Sequence, residues 1–308
     1  MIKIGEHPAA KRILENVKTL FSSGRISYSL HKHFCFVCGA RENILPDGTA
    51  SLRATFSDYL SRNSPTHSVL PIFAEDAIDE FLGGAVGSFL DLGRFEDLVA
   101  SIVDSILIFP ESPGSFTELG FFAPKIELRT KTLVATKENY QGNSFINLGP
   151  MPLYNNDSIY RPMPLVLSGN LELGFQQLVE RLTAQTNKKK YRDRFESGSS
   201  FDELTPKSQL VVTYEMIRLF GYITESNLRQ VIHSTFGKYD IDRVRRLLAI
   251  LVAMNFSSRN DLGDYFTTQD PSRLFEYDTD RFEVTKAEII GFYQKHDKDA
   301  AEHLGGQP

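Results

Sequence analysis

The sequence has no tryptophan, two cysteines among 308 residues, and no apolar run longer than the eight residues Leu247 to Met254. A helix that crosses a bilayer needs about 20 apolar residues, so the sequence predicts no membrane-spanning segment. The first thirty residues lack the compact apolar core and the small-residue cleavage site of a secretory signal. We therefore expect a cytoplasmic protein that does not act at a membrane.

The cysteines Cys35 and Cys38 lie three residues apart in one apolar run, His33 to Gly39. On a strand this spacing places their side chains on opposite faces, which disfavours a disulfide or a shared metal ion. Although His31 and His33 are close in sequence, no second Cys or His pair follows at zinc-finger spacing. We predict buried thiols and no metal site.

Several catalytic motifs are also missing. The sequence contains no P-loop, no G-x-G-x-x-G turn after the first predicted strand and no G-x-S-x-G elbow. The usual signatures of NTP hydrolysis, hydride transfer and serine hydrolysis are therefore absent. The formal net charge of -5 gives no sign of a protein that binds nucleic acid over its whole surface.

Apolar strand-like runs alternate with amphipathic helical patterns through the first 190 residues. Strands are predicted at 33–39, 69–73, 105–109 and 131–136, and helices at 8–22, 50–60, 95–102 and 116–123. This alternation predicts an α/β, Rossmann-like parallel sheet with helices on both faces. In such sheets ligands bind beyond the carboxyl ends of the strands, so the loops after Cys38, Phe73, Phe109 and Thr136 are the candidate site.

A polar, charged stretch at 185–203 is the predicted linker to a second domain. Three helical patterns follow it, beginning at Thr205, Thr224 and Asp240, and residues 256–268 suit a hairpin. We predict a mainly helical, winged-helix-like domain. The expected organisation is a catalytic domain over 1–190 and a nucleic-acid- or partner-binding domain over 200–308.

Positive charge is concentrated around this linker and the third helix. Residues 181–246 contain thirteen Lys or Arg and eight Asp or Glu. The candidate phosphate contacts are Lys188, Lys189, Lys190, Arg243, Arg245 and Arg246. The alternative is a charged linker and a solvated helix face without a nucleic-acid partner.

The most informative motif is FPESPGSFTELG, residues 109–120, between a predicted strand and a predicted helix. A Gly-Ser pair at a helix start presents backbone N–H groups that suit a phosphate or a sugar hydroxyl. Glu118, which we place in the first turn, can attack a nucleoside C1′ or stabilise an oxocarbenium-like transition state. The alternative role is a favourable anion at a helix N-terminus, worth about 0.3–1 kcal/mol.

With Phe73–Asp76 (FAED) and Ser144–Pro150 (SFINLGP), this motif resembles the effector (toxin) proteins encoded beside bacterial retron reverse transcriptases. Those proteins have a nucleoside deoxyribosyltransferase-like N-terminal domain and a winged-helix-like C-terminal domain. The motif is also similar to the PGG-x-GT-x-x-E turn of phosphoribohydrolases.

The resemblance implies an anti-phage abortive-infection toxin that cleaves the base–ribose bond of a nucleotide, with NAD⁺ as the first candidate substrate and no cofactor. It implies restraint by the reverse transcriptase and its multicopy RNA–DNA hybrid (msDNA), and a homo-oligomer or higher assembly. The alternative is a non-catalytic regulator that senses a nucleotide and binds DNA.

In this resemblance Glu118 occupies the position of the catalytic glutamate of the retron effector family. The remaining carried-over residues would bind phosphate, ribose or base, or orient a water molecule. They are Gly39, Arg41, Glu75, Asp76, Ser112, Gly114, Ser115 and Asn147. For Arg41 a surface ion pair is the alternative, and for Glu75 and Asp76 a helix cap and first-turn anion.

Overall fold

The computed structural model of the chain describes residues 3–22, 33–63, 69–73, 76, 92–137, 145–184, 199–267 and 278–305. These residues form two compact units. The sheet unit contains the described residues of 33–73 and 92–184. The helical unit contains 3–22, Asp76, and the described residues from 199 to 305.

The sheet unit is built on five parallel strands in the order β2-β1-β3-β4-β5. They are β1 (His33–Cys38), β2 (Val69–Ile72), β3 (Ser105–Ile108), β4 (Thr132–Lys137) and β5 (Leu165–Leu167). Every residue of β1 and β3 is buried, as expected for a parallel sheet covered on both faces. The predicted α/β class with a parallel sheet is confirmed.

The helix α1 (Lys11–Ser22) precedes this sheet in the chain, and seven helices belong to the sheet unit. These seven are α2 (Leu52–Asn63), α3 (Leu92–Ile102), α4 (Pro113–Phe122), α5 (Ile126–Arg129), α6 (Phe145–Leu148), α7 (Pro150–Asp157) and α8 (Leu171–Thr183). Phe56 of α2 packs against Phe109 and Phe175, with ring centroids 5.8 and 5.3 Å away. The Tyr154 hydroxyl of α7 donates to the Leu119 carbonyl of α4 at 2.7 Å and so fixes the end of α4.

The helical unit follows the predicted order of three helices and a hairpin. Its elements are α9 (Pro206–Phe220), β6 (Tyr222–Thr224), α10 (Glu225–Phe236), α11 (Ile241–Ala253), β7 (Ser257–Arg259), β8 (Asp264–Thr267), α12 (Thr279–His296) and α13 (Lys298–Gly305). The hairpin β7–β8 gains the short strand β6 in an antiparallel sheet of order β6-β8-β7. α9 is buried on nearly all sides, which marks it as the central helix. Within the described ranges, no helix combines the length and the apolar character needed to cross a membrane.

The helix α1 lies in the helical unit, which differs from the expected 1–190 domain. Its apolar stripe, which includes Val17 and Phe21, is buried against α10 and α12. The Phe21 and Phe236 rings are 6.5 Å apart, and the Asn16 amide donates to Glu288 at 2.7 Å. An amphipathic stripe predicts a helix but does not identify the partner that covers it.

We expect Phe21→Ala to destabilise the helical unit by about 3–5 kcal/mol, because it leaves a cavity beside Phe236. Hydrogen exchange on the full chain, followed by mass spectrometry, should show faster exchange in α10 and α12 and unchanged protection in β1 and β3. Lys18→Ala, on the exposed face of α1, is the matched control. Equal loss of protection in β1 would contradict the assignment of α1 to the helical unit.

Candidate active site

The candidate site lies where the order of the parallel strands reverses, between β1 and β3. In open α/β sheets this switch point opens a crevice beyond the carboxyl ends of the strands. The two strand ends are joined there, because the Phe109 N–H donates to the Cys38 carbonyl at 2.9 Å. The loops that begin at Gly39 and Pro110 therefore start side by side.

The turn into α4 is closed by a reciprocal serine cap. The Ser112 hydroxyl accepts the Ser115 N–H at 3.2 Å, and the Ser115 hydroxyl accepts the N–H groups of Glu111 and Ser112 at 3.0 and 2.9 Å. The Phe116 N–H also bonds within the turn, to the Ser112 carbonyl at 3.0 Å. Ser115 is fully buried. The Ser115 hydroxyl therefore shapes the turn, and its ligand role stays a prediction.

Glu118 is the sixth residue of α4 and not a first-turn residue as predicted, because the helix already begins at Pro113. At 1.5 Å per residue its Cα lies about 7.5 Å along the axis from the helix start. The effect of the helix dipole fades within the first turn, so the alternative role as a helix-terminus anion loses its basis. The side chain of Glu118 is half-buried.

Gly114 lies one turn before Glu118 on the same face of α4. Among the described residues, a Cβ added at Gly114 would meet the Ser112 hydroxyl at 3.8 Å and no other atom within 4 Å. The described residues therefore leave room for a group at Gly114, one turn before Glu118. Of the predicted residues, Ser112, Gly114 and Glu118 are grouped on one turn and one helix face.

The loop after β1 is held by Glu111, a residue that the sequence reasoning missed. Its carboxylate accepts the N–H groups of Leu52, Ala40 and Arg53 at 2.7, 3.3 and 3.1 Å. Gly39 is needed beside it, because a Cβ there would lie 2.6 Å from Arg53 Cβ and 3.1 Å from a Glu111 oxygen. The signal in the sequence was a glutamate two residues after a buried strand, at the expected crevice.

A pocket of about 120 Å³ lies at the carboxyl ends of β3 and β4. Its lining residues are Leu45, Asp47, Thr49, Leu52, Pro110, Glu111, Ala135, Thr136 and Lys137. The Lys137 ammonium donates to the Thr49 hydroxyl and the Ala50 carbonyl at 3.3 and 3.2 Å. Hydrogen bonds from the Thr49 N–H and hydroxyl lower the pKa of Asp47. Glu118 does not line this pocket, so the crevice has two separate chemical regions.

The other predicted substrate contacts are spread more widely. Arg41 is exposed in the loop after β1, and Asn147 is half-buried on α6. Asp76 is exposed and belongs to the helical unit. Glu75 lies outside the described residues.

The predicted cations of α11 are partly engaged within the helical unit. The Arg243 guanidinium donates to the Gln209 amide oxygen at 2.8 Å, and Arg245 donates to Glu225 at 2.9 Å. Arg246 is half-buried. Lys188, Lys189 and Lys190 lie outside the described residues. The basic sequence pattern could not show these two contacts, and the role of these cations as phosphate contacts stays a prediction.

Cys35 and Cys38 are buried and are not joined in a disulfide, as predicted. Burial raises the pKa of the Cys35 thiol to about 12, so it stays protonated at neutral pH. In the part of the chain that the structure describes, no group of three or more His, Cys, Asp or Glu side chains is placed to hold a metal ion.

Residues 49–259 match the model of a family described as STM3845 retron effector protein. An Escherichia coli protein, named as a candidate ribosyltransferase/DNA-binding protein of retron Ec86, is 39% identical over 116 residues, which are 36% of each chain. The corresponding protein of retron Ec73, also from Escherichia coli, is 26% identical over 282 residues, which are 81% of each chain. The similarity thus spans about a third of the first relative and about four fifths of the second.

Two glycine substitutions test the crowding at Gly39 and the open space at Gly114. We expect Gly39→Ala to destabilise the sheet unit by about 1–3 kcal/mol, because the new methyl group overlaps Arg53. Gly114→Ala has room, and it should leave stability unchanged or raise it by up to about 1 kcal/mol, since alanine is the better helix former. Urea unfolding of both variants makes the comparison. Equal midpoints for the two would contradict this packing.

Proposed function

The chain belongs to the family of STM3845 retron effector proteins, and on that premise we propose that it is the toxin of a retron anti-phage defence system. Its activity is that of an N-glycosidase, which cleaves the base–ribose bond of a nucleotide, and NAD⁺ is the foremost substrate. The names of its Escherichia coli relatives support this reaction class, because a ribosyltransferase breaks a bond at the same ribose carbon.

The observation that carries the proposal is that Glu118 lies one turn after Gly114 on the same face of the helix that follows β3, and that the described residues leave room at Gly114. A substrate whose ribose lies against this face brings C1′ towards the carboxylate. A Glu118 oxygen then bonds to C1′ while the C1′–N bond breaks, and the base leaves with the bonding electron pair. Water next attacks C1′ and loses a proton while the C1′–O bond to Glu118 breaks, which releases the base-free remainder of the nucleotide (ADP-ribose from NAD⁺) and the free carboxylate.

NAD⁺ suits this reaction because its base is a pyridinium, which leaves C1′ as a neutral molecule. No proton donor for the leaving base is then required, and a carboxylate alone supplies the chemistry. The Glu118 carboxylate can equally stabilise the oxocarbenium-like transition state by charge without a covalent bond. No resident cofactor or metal takes part in either course.

The surrounding residues receive binding roles in this proposal. The capped turn at Ser112 and Gly114, shaped by Ser115, holds phosphate or ribose. Gly39 and Arg41 form the floor after β1, and Asn147 contacts the sugar or the base. Glu75 and Asp76 keep the proposed role of contacting ribose hydroxyls or orienting water.

The helical unit is the proposed site of restraint by the reverse transcriptase and its msDNA, in a homo-oligomeric or higher assembly. Support comes from the description of the relatives as DNA-binding and from the winged-helix-like order of three helices and a hairpin. Arg246 and the cations Lys188, Lys189 and Lys190 are the candidate phosphate contacts. Arg243 and Arg245 contribute only if they leave Gln209 and Glu225.

We expect Glu118→Gln to lower base release by at least about 100-fold, because the amide can neither attack C1′ nor balance its charge. Nucleotide affinity should change only a few-fold, since the two side chains have the same shape. The measurement is chromatography of bases freed from NAD⁺ and from a panel of nucleosides and nucleotides by partner-free protein. Glu127→Gln, at an exposed position of α5, is the control.

Two results would contradict the glycosidase proposal. One is equal base release by wild type and Glu118→Gln. The other is a wild type that binds nucleotide and frees no base, which favours the nucleotide-sensing, DNA-binding regulator.

We expect Arg246→Glu to weaken retention of the RNA–DNA hybrid. The slope of log affinity against log salt concentration should become shallower by about one, because one phosphate contact is lost. The measurement is co-purification with the reverse transcriptase and hybrid at several salt concentrations. Lys11→Glu, an exposed position on α1 of the same unit, is the matched control. An unchanged salt slope would remove Arg246 from the contact surface.

A further inference from the structure

The volume and the lining of the pocket at the ends of β3 and β4 suit one end of a ligand. Four of the pocket's nine lining residues, Leu45, Leu52, Pro110 and Ala135, are apolar, and the other five are polar or charged. At about 120 Å³ it is well below the several hundred Å³ of sites that enclose a whole drug-sized molecule. It therefore suits a single ring or a short substituent of a larger ligand.

Thr136 is the pocket residue whose buried hydroxyl is not explained by a hydrogen bond to the described residues. The residue is 4% exposed, and its buried hydroxyl has no hydrogen-bond partner in the described part of the chain. The other threonine of β4, Thr132, donates to the Leu128 carbonyl at 2.8 Å. Buried polar groups are nearly always paired, and Thr136 lines the pocket, so a water molecule or a ligand group in the pocket can supply this partner.

The charges around the pocket restrict the chemistry of that partner. Two carboxylates, Asp47 and Glu111, and one ammonium, Lys137, line it, which leaves an excess of negative charge. A phosphate or carboxylate group is therefore repelled. The Lys137 ammonium has three N–H groups. Two of them donate to Thr49 and Ala50, and the third can donate to a ligand.

We propose that this pocket binds the uncharged carboxamide of the substrate's base, with the Thr136 hydroxyl and the Lys137 ammonium as hydrogen-bond partners. A carboxamide offers both an acceptor oxygen and N–H donors, which matches a hydroxyl, an ammonium and two carboxylates. This inference rests on the proposed function, because it takes the ligand of the crevice to be a nucleotide. It makes Thr136 and Lys137 the residues that select nicotinamide over nicotinic acid.

The test compares Thr136→Val, which removes the hydroxyl at constant shape, with Thr136→Ser, which restores it. The probes are free nicotinamide and nicotinic acid, titrated calorimetrically into the full chain without turnover. We expect wild type to prefer nicotinamide at least about tenfold, Thr136→Val to weaken nicotinamide binding about five- to tenfold, and Thr136→Ser to recover it. Thr183→Val on α8, where the hydroxyl bonds only to its own helix, is the matched control.

Thermal unfolding separates this role from a structural one. Since the Thr136 hydroxyl has no protein partner in the described residues, Thr136→Val should unfold at the same or a higher temperature than wild type. A clear loss of stability would show a structural hydrogen bond and overturn the inference. Unchanged nicotinamide binding in Thr136→Val, equal affinity for nicotinic acid, or no binding of either base by wild type would also overturn it.

The outcomes also distinguish this inference from the proposed function. Binding of nicotinamide that depends on Thr136, without release of base from any nucleotide, supports the pocket and rejects the glycosidase. Cleavage of NAD⁺ that depends on Glu118 but is equal in wild type and Thr136→Val supports the glycosidase and rejects the pocket.

Discussion

The architecture of the crevice depends on one carboxylate, that of Glu111, which accepts three backbone N–H groups from the loop after β1 and the start of α2. These contacts bind the end of β3 to a segment almost sixty residues away in the chain. Charge-assisted hydrogen bonds of this kind are stronger than neutral ones. They also explain the glycine at position 39, since the carboxylate and Arg53 occupy the space that any larger side chain would need. The mouth of the crevice thus has a fixed shape before any ligand arrives.

Two regions with different chemistry lie along the same edge of the sheet. The face of α4 that carries Glu118 has a carboxylate one turn from Gly114, where the described residues leave room, and this suits a sugar carbon that gains positive charge. The pocket at the ends of β3 and β4 has a buried hydroxyl and mixed charges, which suit a neutral polar group. In the proposed substrate, a nucleotide, parts of both kinds are joined by the base–ribose bond. The serine cap between these regions uses its own hydroxyls internally, and this gives the turn rigidity.

The sequence predicted the parallel sheet well, because β1, β3 and β4 are short apolar runs bounded by polar or glycine-containing segments, and local pattern determines such strands. Of the loops expected at the crevice, those after β1 and β3 begin side by side. The sequence did not predict contacts between distant segments. The apolar stripe of α1 indicated a helix but not its packing on α10 and α12, and the basic run on α11 did not reveal that Gln209 and Glu225 engage two of its arginines. Glu111 and Thr136 were missed because their importance arises from geometry, while Glu118 was placed one turn too early because Pro113 already starts the helix.

The helix α1 is synthesised long before the helices that cover its apolar stripe. Ribosomes deliver α1 first, but the helices that cover its apolar stripe, α10 and α12, begin at Glu225 and Thr279. At about 5–20 residues per second, α1 waits at least about 10–40 s for the first of them. Every segment of the sheet unit leaves the ribosome during that interval. A nascent chain therefore carries every segment of the sheet unit before its helical unit can close, and translation that stops early leaves the stripe of α1 uncovered.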